Sequence, residues 1–194
     1  MNTPLSPRIV MEAASSGVAA EKVYEVLSET GCGYDTYAAP AGAAPGVIHA
    51  AYLDTAANAF PAPINQPDVP RAVAATFQAG WTGGDITIVG TDARDKTVTE
   101  VIADNPGATV DGDVPFKTIT AISKELVGAG GKTVTIDTTD KLGLSRLPVG
   151  DVWIKADGVS EDPSAIDLAD GTFTPTTAPN GAVNFVAFYP GVVE

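Results

Sequence analysis

RAVAATFQAGWTGGDITIVGTDARDKTVTEVI, residues 71–102, is the stretch whose reading decides the fold. Val73, Ala75 and Phe77 alternate with smaller or polar residues, and Gly80, Gly83 and Gly84 then interrupt the run around Trp81. Ile86 and Ile88 alternate with Thr87 and Val89. A polar turn from Thr91 to Lys96 precedes Val98-Thr99-Glu100-Val101-Ile102. Successive side chains of a β-strand point to opposite faces. Apolar residues at every second position, bounded by Gly and Asp clusters, therefore specify half-buried antiparallel strands. The stretch reads as three strands joined by two turns.

The same signature recurs toward the C-terminus. Ala108–Val110, Phe116–Leu126, Thr133–Thr138, Val152–Ala156, Phe173 and Val183–Tyr189 are strand candidates. Between them lie Asn105-Pro106-Gly107, Asp111-Gly112-Asp113, the Gly-rich loop 128–131, a short link Leu142-Gly143-Leu144 and a turn over 175–181. Within 116–126, Ile119 and Ala121 fall on one face. In the last strand Phe185 and Tyr189 share a side and Phe188 takes the other. Roughly eight to ten short strands after residue 70, each separated by turn chemistry, specify an all-β antiparallel sandwich or a partly open barrel.

The first third reads differently. Pro4 and Pro7 disfavour an early helix. In AAEKVYEVLSE, residues 19–29, Val23, Val26 and Leu27 stand at helical spacing, while Val23, Glu25 and Leu27 also alternate as a strand would. Residues 33–70 are rich in Gly, Ala and Pro, with VIHAAYLD at 47–54 as a candidate strand. Prolines at 61, 63, 67 and 70 forbid a regular ladder and favour extended chain. The expected division is an N-terminal arm or linker region over 1–65, with at most one short helix at 19–29, followed by a β-sandwich domain over 66–194. The arm is expected to contact neighbouring subunits.

Composition bounds the function. The chain has 194 residues, 44% of them apolar, and a formal net charge of −13. Such a surface repels phosphate backbones and anionic membranes, which argues against direct nucleic-acid or membrane binding and suits docking onto a basic surface. No apolar run approaches the ~20 residues of a membrane-spanning helix, and MNTPLSPR lacks the charged-then-apolar pattern of a secretory signal. Cys32 is the sole cysteine and His49 the sole histidine. A disulfide within the chain is therefore impossible, and any His-based triad or metal site has to use that one residue.

The candidate chemistry is sparse. Carboxylates cluster at Asp92 with Asp95, Asp111 with Asp113, Asp137 with Asp140, and Asp157 with Glu161, Asp162, Asp167 and Asp170. They read as turn residues that satisfy local backbone donors. Asp111-Gly112-Asp113 has alternate-carboxylate spacing but lacks the remaining positions of an EF-hand loop. His49, between Ile48 and Ala50, reads as a partly buried structural residue, and Cys32, between Gly31 and Gly33, as incidental. GWTGG at 80–84 and GAGG at 128–131 contain neither Gly-Lys-Ser/Thr nor GxGxxG and read as turns. Trp81 and Trp153 read as core residues. No catalytic, cofactor-binding or metal-ligating residue is assigned, and the chain is expected not to be an enzyme and to need no cofactor.

The series PDVPRAV (67–73), GWTGGDITIVGTDA (80–93), TVTEVI (97–102), PFKTITAI (115–122), DKLGL (140–144) and DGTFTPTTAPNGAVNF (170–185) resembles capsid-associated structural proteins of tailed bacteriophages. These are small acidic β-sandwich proteins that serve as decoration, or cement, proteins of the head or as nearby virion fittings. The likeness begins at Pro67 and is one of strand-and-turn style, with no active-site motif to carry over. It implies a non-enzymatic virion protein on the capsid exterior, assembled in the bacterial host cytoplasm. As partners it implies the major capsid protein lattice and further copies of the chain, as a homotrimer. A neck, tail or fibre-base component is the alternative within virions, and a carbohydrate-binding module is the alternative of another class.

Overall fold

Alternation along 71–102 becomes three strands of an antiparallel β protein. The structure, a computed structural model, describes residues 31–43 and 47–192, and the helix expected at 19–29 lies outside them. The strands are β1 (Cys32–Tyr37), β2 (His49–Leu53), β3 (Arg71–Phe77), β4 (Ile86–Thr91), β5 (Thr97–Ile102), β6 (Thr109–Asp111), β7 (Thr118–Lys124), β8 (Thr133–Gly143), β9 (Leu147–Pro148), β10 (Trp153–Ala156), β11 (Val159–Glu161), β12 (Ala165–Asp167), β13 (Thr172–Thr174) and β14 (Phe185–Val192). No helix occurs among the described residues.

They form three sheets. One has the order β1-β14-β10-β11 with β9 also on β14. A second has the order β12-β13-β8-β3-β6 with β2 also on β8. The third is β5-β4-β7. Two apolar clusters hold these sheets together. The first joins Val73, Ala75 and Phe77 of β3 and Val134 and Ile136 of β8 to Ile86 and Ile88 of β4 and to Ile102, Ile119 and Ile122, with Trp81 and Phe116. The second joins Tyr37, Ile154, Phe185, Ala187 and Tyr189 of the first sheet to Leu142 and Phe173. Each fully buried Ile or Phe contributes about 1.5–3 kcal/mol. β8 spans both clusters, because its eleven residues run well past the expected end at Thr138. The segment 142–144, expected as a link, therefore lies largely in strand.

Three local features explain the pairing. Ile119 and Ile122 are both buried while Ala121 is exposed, so the expected sharing of a face by Ile119 and Ala121 does not hold. The register of β7 on β4 slips between Val89 and Gly90, and this bulge reverses the alternation within β7. In the last strand Phe185, Ala187 and Tyr189 are buried and Phe188 faces outward, as alternation requires. The β10–β11 hairpin turns on Asp157 and Gly158, at φ of 47° and 81°. Asp-Gly suits such a two-residue turn because both central positions need positive φ.

The boundary expected near residue 65 does not separate an arm from a sandwich. β1 pairs with β14 along its whole length, from Cys32 opposite Pro190 to Tyr37 opposite Phe185. β2 pairs with β8. The proline-rich stretch is extended, as its composition requires, but it packs on the chain's own strands. The Phe60 amide donates to Ile122 O at 2.9 Å, and the Gln66 side chain both accepts from the Ile119 amide and donates to Ile119 O. Proline removes a ladder donor but not the side-chain and carbonyl groups that hold these residues.

Candidate functional site

The groups singled out in the sequence do not converge. Cys32 opens β1, and His49 lies in β2 with its ring edge-on to Tyr52 and Phe60, at centroid distances of 5.6 and 5.0 Å. Both ring nitrogens of His49 face carbonyl oxygens, Ala50 O at 2.7 Å and Pro61 O at 3.3 Å. Trp81 is buried and its indole N–H donates to Gly84 O at 2.9 Å. Trp153 is 54% exposed, against the expectation of a core residue. The alternation of β10 explains this, since Ile154 and Ala156 take the inward positions and leave Trp153 and Lys155 outside.

Most of the aspartates bind the chain's own groups. Asp157 accepts from the amide and side chain of Asn184, and Asp167 from the amides of Ala169 and Asp170. Asp95 pairs with Lys117 and Asp113 with Lys141, at 2.7 and 2.6 Å. Asp92 departs from the solvated-turn reading because it is 1% exposed. Its Oδ1 takes the amides of Arg94 and Lys96 and its Oδ2 the Arg94 guanidinium, so it locks the β4–β5 turn from within. Among the described residues no three His, Cys, Asp or Glu side chains gather as a metal-ligand set.

Sequence reasoning missed four buried ionisable groups, Asp54, Glu100, Arg71 and Lys124. Asp54 has no exposed surface and gathers the Gly-rich loop 128–131: its carboxylate accepts from the Thr82 hydroxyl at 2.8 Å and from the amides of Gly130 and Lys132. Burial alone would raise its pKa, but these bonds together outweigh that and hold it below the usual carboxylate range. Glu100 shares the inward face of β5 with Ile102. Its Oε1 accepts from the amides of Asp113 and Val114, while Oε2 is buried against Gly112 without a hydrogen-bond partner. Burial pushes the Glu100 carboxyl up. Arg71, fully buried between the two clusters, donates to Thr139 O at 2.7 Å, Ala41 O at 2.8 Å and Asp68 Oδ1 at 3.0 Å. The parity of Glu100 with Val98 and Ile102, and of Arg71 with Val73, Ala75 and Phe77, was legible beforehand, but their main-chain partners were not.

Lys124 and the inward tyrosines follow the same pattern. The Lys124 ammonium donates to Ala56 O and Leu126 O, and burial lowers its pKa. Tyr37 donates to Gly143 O and Tyr189 to Asp35; burial first, and Asp35 second, raise both phenols far above their usual range, so both remain donors.

Hollows on the surface of the described residues include the following. A groove of about 500 Å³ crosses β3, β6 and β8, lined by Thr76, Thr109, Asp111, Asp137, Asp140 and Lys141. Asp137 there accepts from the hydroxyls of Thr76 and Thr135, and Asp140 faces Arg71 at 3.6 Å. The second hollow, about 210 Å³, lies on the outer face of the first sheet beside Trp153. No family model matches the chain, and neither a curated protein nor a solved structure is found to be similar to it.

Proposed function

We propose that this chain is a non-enzymatic virion structural protein that decorates and stabilises a tailed-bacteriophage capsid by binding the lattice of the major capsid protein from outside. One observation carries most weight. Asp54, Asp92, Glu100, Arg71 and Lys124 all direct their charged groups at the chain's own main chain. Buried charges are costly and are tolerated where bonds repay the desolvation. Here those bonds serve loop shape, which suits a protein whose task is to present a rigid surface. The acid excess of −13 suits docking onto a basic lattice, and closed-symmetry trimers suit the local three-fold axes of such a lattice.

The experiment is quantitative mass spectrometry of purified particles, combined with imaging of the particle surface. Decoration requires a copy number comparable to that of the major capsid protein and density at repeated lattice positions. A few copies confined to one vertex would instead place the chain in the neck or tail. Absence from particles would overturn the reading.

A further inference from the structure

The outer face of the first sheet carries aromatic residues that the fold does not bury. Tyr34 is 43% and Trp153 54% exposed. Register sets Tyr34 opposite Phe188, with ring centroids 5.1 Å apart, and Phe188 opposite Trp153. The three rings thus form a row across β1, β14 and β10, at the strand spacing of about 4.8 Å. At its Trp153 end the row borders the hollow of about 210 Å³, whose polar walls are Lys155, Ser160, Glu161 and Asp162. Ile154 pairs with Glu161, which brings Asp162 beside Trp153 across the hairpin. Glu161 is committed elsewhere, since its two oxygens accept the amides of Thr176 and Thr177.

We propose that this hollow binds one ring of a neutral oligosaccharide, stacked on Trp153 and hydrogen-bonded by Asp162, Lys155 and Ser160. A pyranose has a face of C–H bonds, and the negative face of an indole attracts such hydrogens. Sugar hydroxyls both donate and accept. The rim matches them with a carboxylate that accepts, an ammonium that donates and a hydroxyl that does both. Charge selects against anions, which meet Asp162 on a chain of net charge −13. A cation is drawn to Asp162 and repelled by Lys155 on the same rim, whereas a neutral polyhydroxyl hydrogen-bonds to both. The volume lies below the ~300–1,000 Å³ of sites for drug-sized ligands and suits a single ring. The site is also preorganised, because Trp153 sits on a strand paired on both sides and Glu161 anchors the neighbouring loop.

The test titrates the full chain with β-1,4-linked hexasaccharides of glucose and of N-acetylglucosamine and with a mannose hexasaccharide. It follows tryptophan emission and acrylamide quenching, with Trp81, being buried, as a constant background. Isothermal titration calorimetry measures the affinity of every variant, including Trp153→Ala, which lacks the reporting indole. At least one sugar is expected to shift the emission and to shield Trp153. Trp153→Ala should weaken that binding at least about tenfold and Asp162→Asn about fivefold, with melting temperatures unchanged. The proposal is overturned if none of the three sugars shifts the emission at millimolar concentration, or if Trp153→Ala binds as well as the parent. It is equally overturned if protein concentration alone shields Trp153, which would assign the face to a second copy, or if only a basic peptide does so. Particle binding by Trp153→Ala is measured in parallel, so that loss of sugar binding with retained decoration separates this site from the lattice contact.

Discussion

Gly33→Ala probes whether β1 belongs to the fold. Gly33 stands opposite Tyr189 in the β1–β14 ladder, and the Tyr189 ring lies across it. A Cβ added at Gly33 would come within 2.1 Å of Tyr189 Cζ, where ordinary contact begins at 3.4 Å. The ring has to move by more than an ångström, yet it is 2% exposed inside the second cluster. Moving it disrupts the hydroxyl's bond to Asp35 at 2.5 Å and the bond it accepts from the Arg146 amide at 3.1 Å. Overpacking costs about 1–3 kcal/mol and each of the two lost bonds about 1 kcal/mol, so the substitution should destabilise by about 3–5 kcal/mol. For a chain of this size that lowers Tm by about 10 °C. The assay is urea denaturation followed by circular dichroism for Gly33→Ala, Tyr189→Ala and the double variant. Tyr189→Ala alone should cost about 3–5 kcal/mol. With the ring gone, the added methyl has room, and the double variant should be no less stable than Tyr189→Ala. Additive losses in the double variant would refute the reasoning, and a neutral Gly33→Ala would show that β1 does not close on β14.

Other expectations follow from the same packing. Phe185→Ala should cost about 3–5 kcal/mol because Phe185 is fully buried, whereas Phe188→Ala on the outer face should cost about 1 kcal/mol; equal losses in thermal unfolding would contradict the facing of β14. Asp54→Ala should speed amide hydrogen exchange across 128–132, since it removes the acceptor of the Gly130 and Lys132 amides. The lowered pKa of Asp54 means that its stabilisation is present above the ordinary Asp value of about 3.9 and disappears as pH falls through the folded value. An acid-unfolding midpoint that the substitution leaves in place would speak against this. Glu100 has the opposite sign. Its folded pKa is raised, so stability is greatest below the ordinary Glu value of about 4.3 and declines as pH rises through the folded value. Glu100→Gln should flatten that decline in urea titrations at pH 4 to 7, and an unchanged slope would exclude Glu100 as its source.

What the sequence by itself determined is local. Alternation in 73–77, 86–88 and 183–189 specified strands and, for Phe185, Tyr189 and Phe188, the side each side chain takes. Proline at 61, 63, 67 and 70 specified extended backbone. Both follow from φ/ψ restrictions and the two-residue strand period, which need no knowledge of a partner. What only the tertiary structure decided is which strand meets which. CGYDTY carries a weak strand signal, and its pairing with β14 joins residues about 150 positions apart, from Cys32 with Pro190 to Tyr37 with Phe185. The bulge that turns both Ile119 and Ile122 inward exists because β7 pairs with β4 across Gly90, whose missing side chain leaves room for Thr118 O. Trp81 and Trp153 look alike in the sequence, but one fills the first cluster and the other stands on an outer face. Burial is a property of the surface that happens to lie opposite, and that surface is assembled from distant parts of the chain. The same reason hid Asp54, Glu100 and Arg71, whose carbonyl and amide partners are brought to them only by the closed sheets.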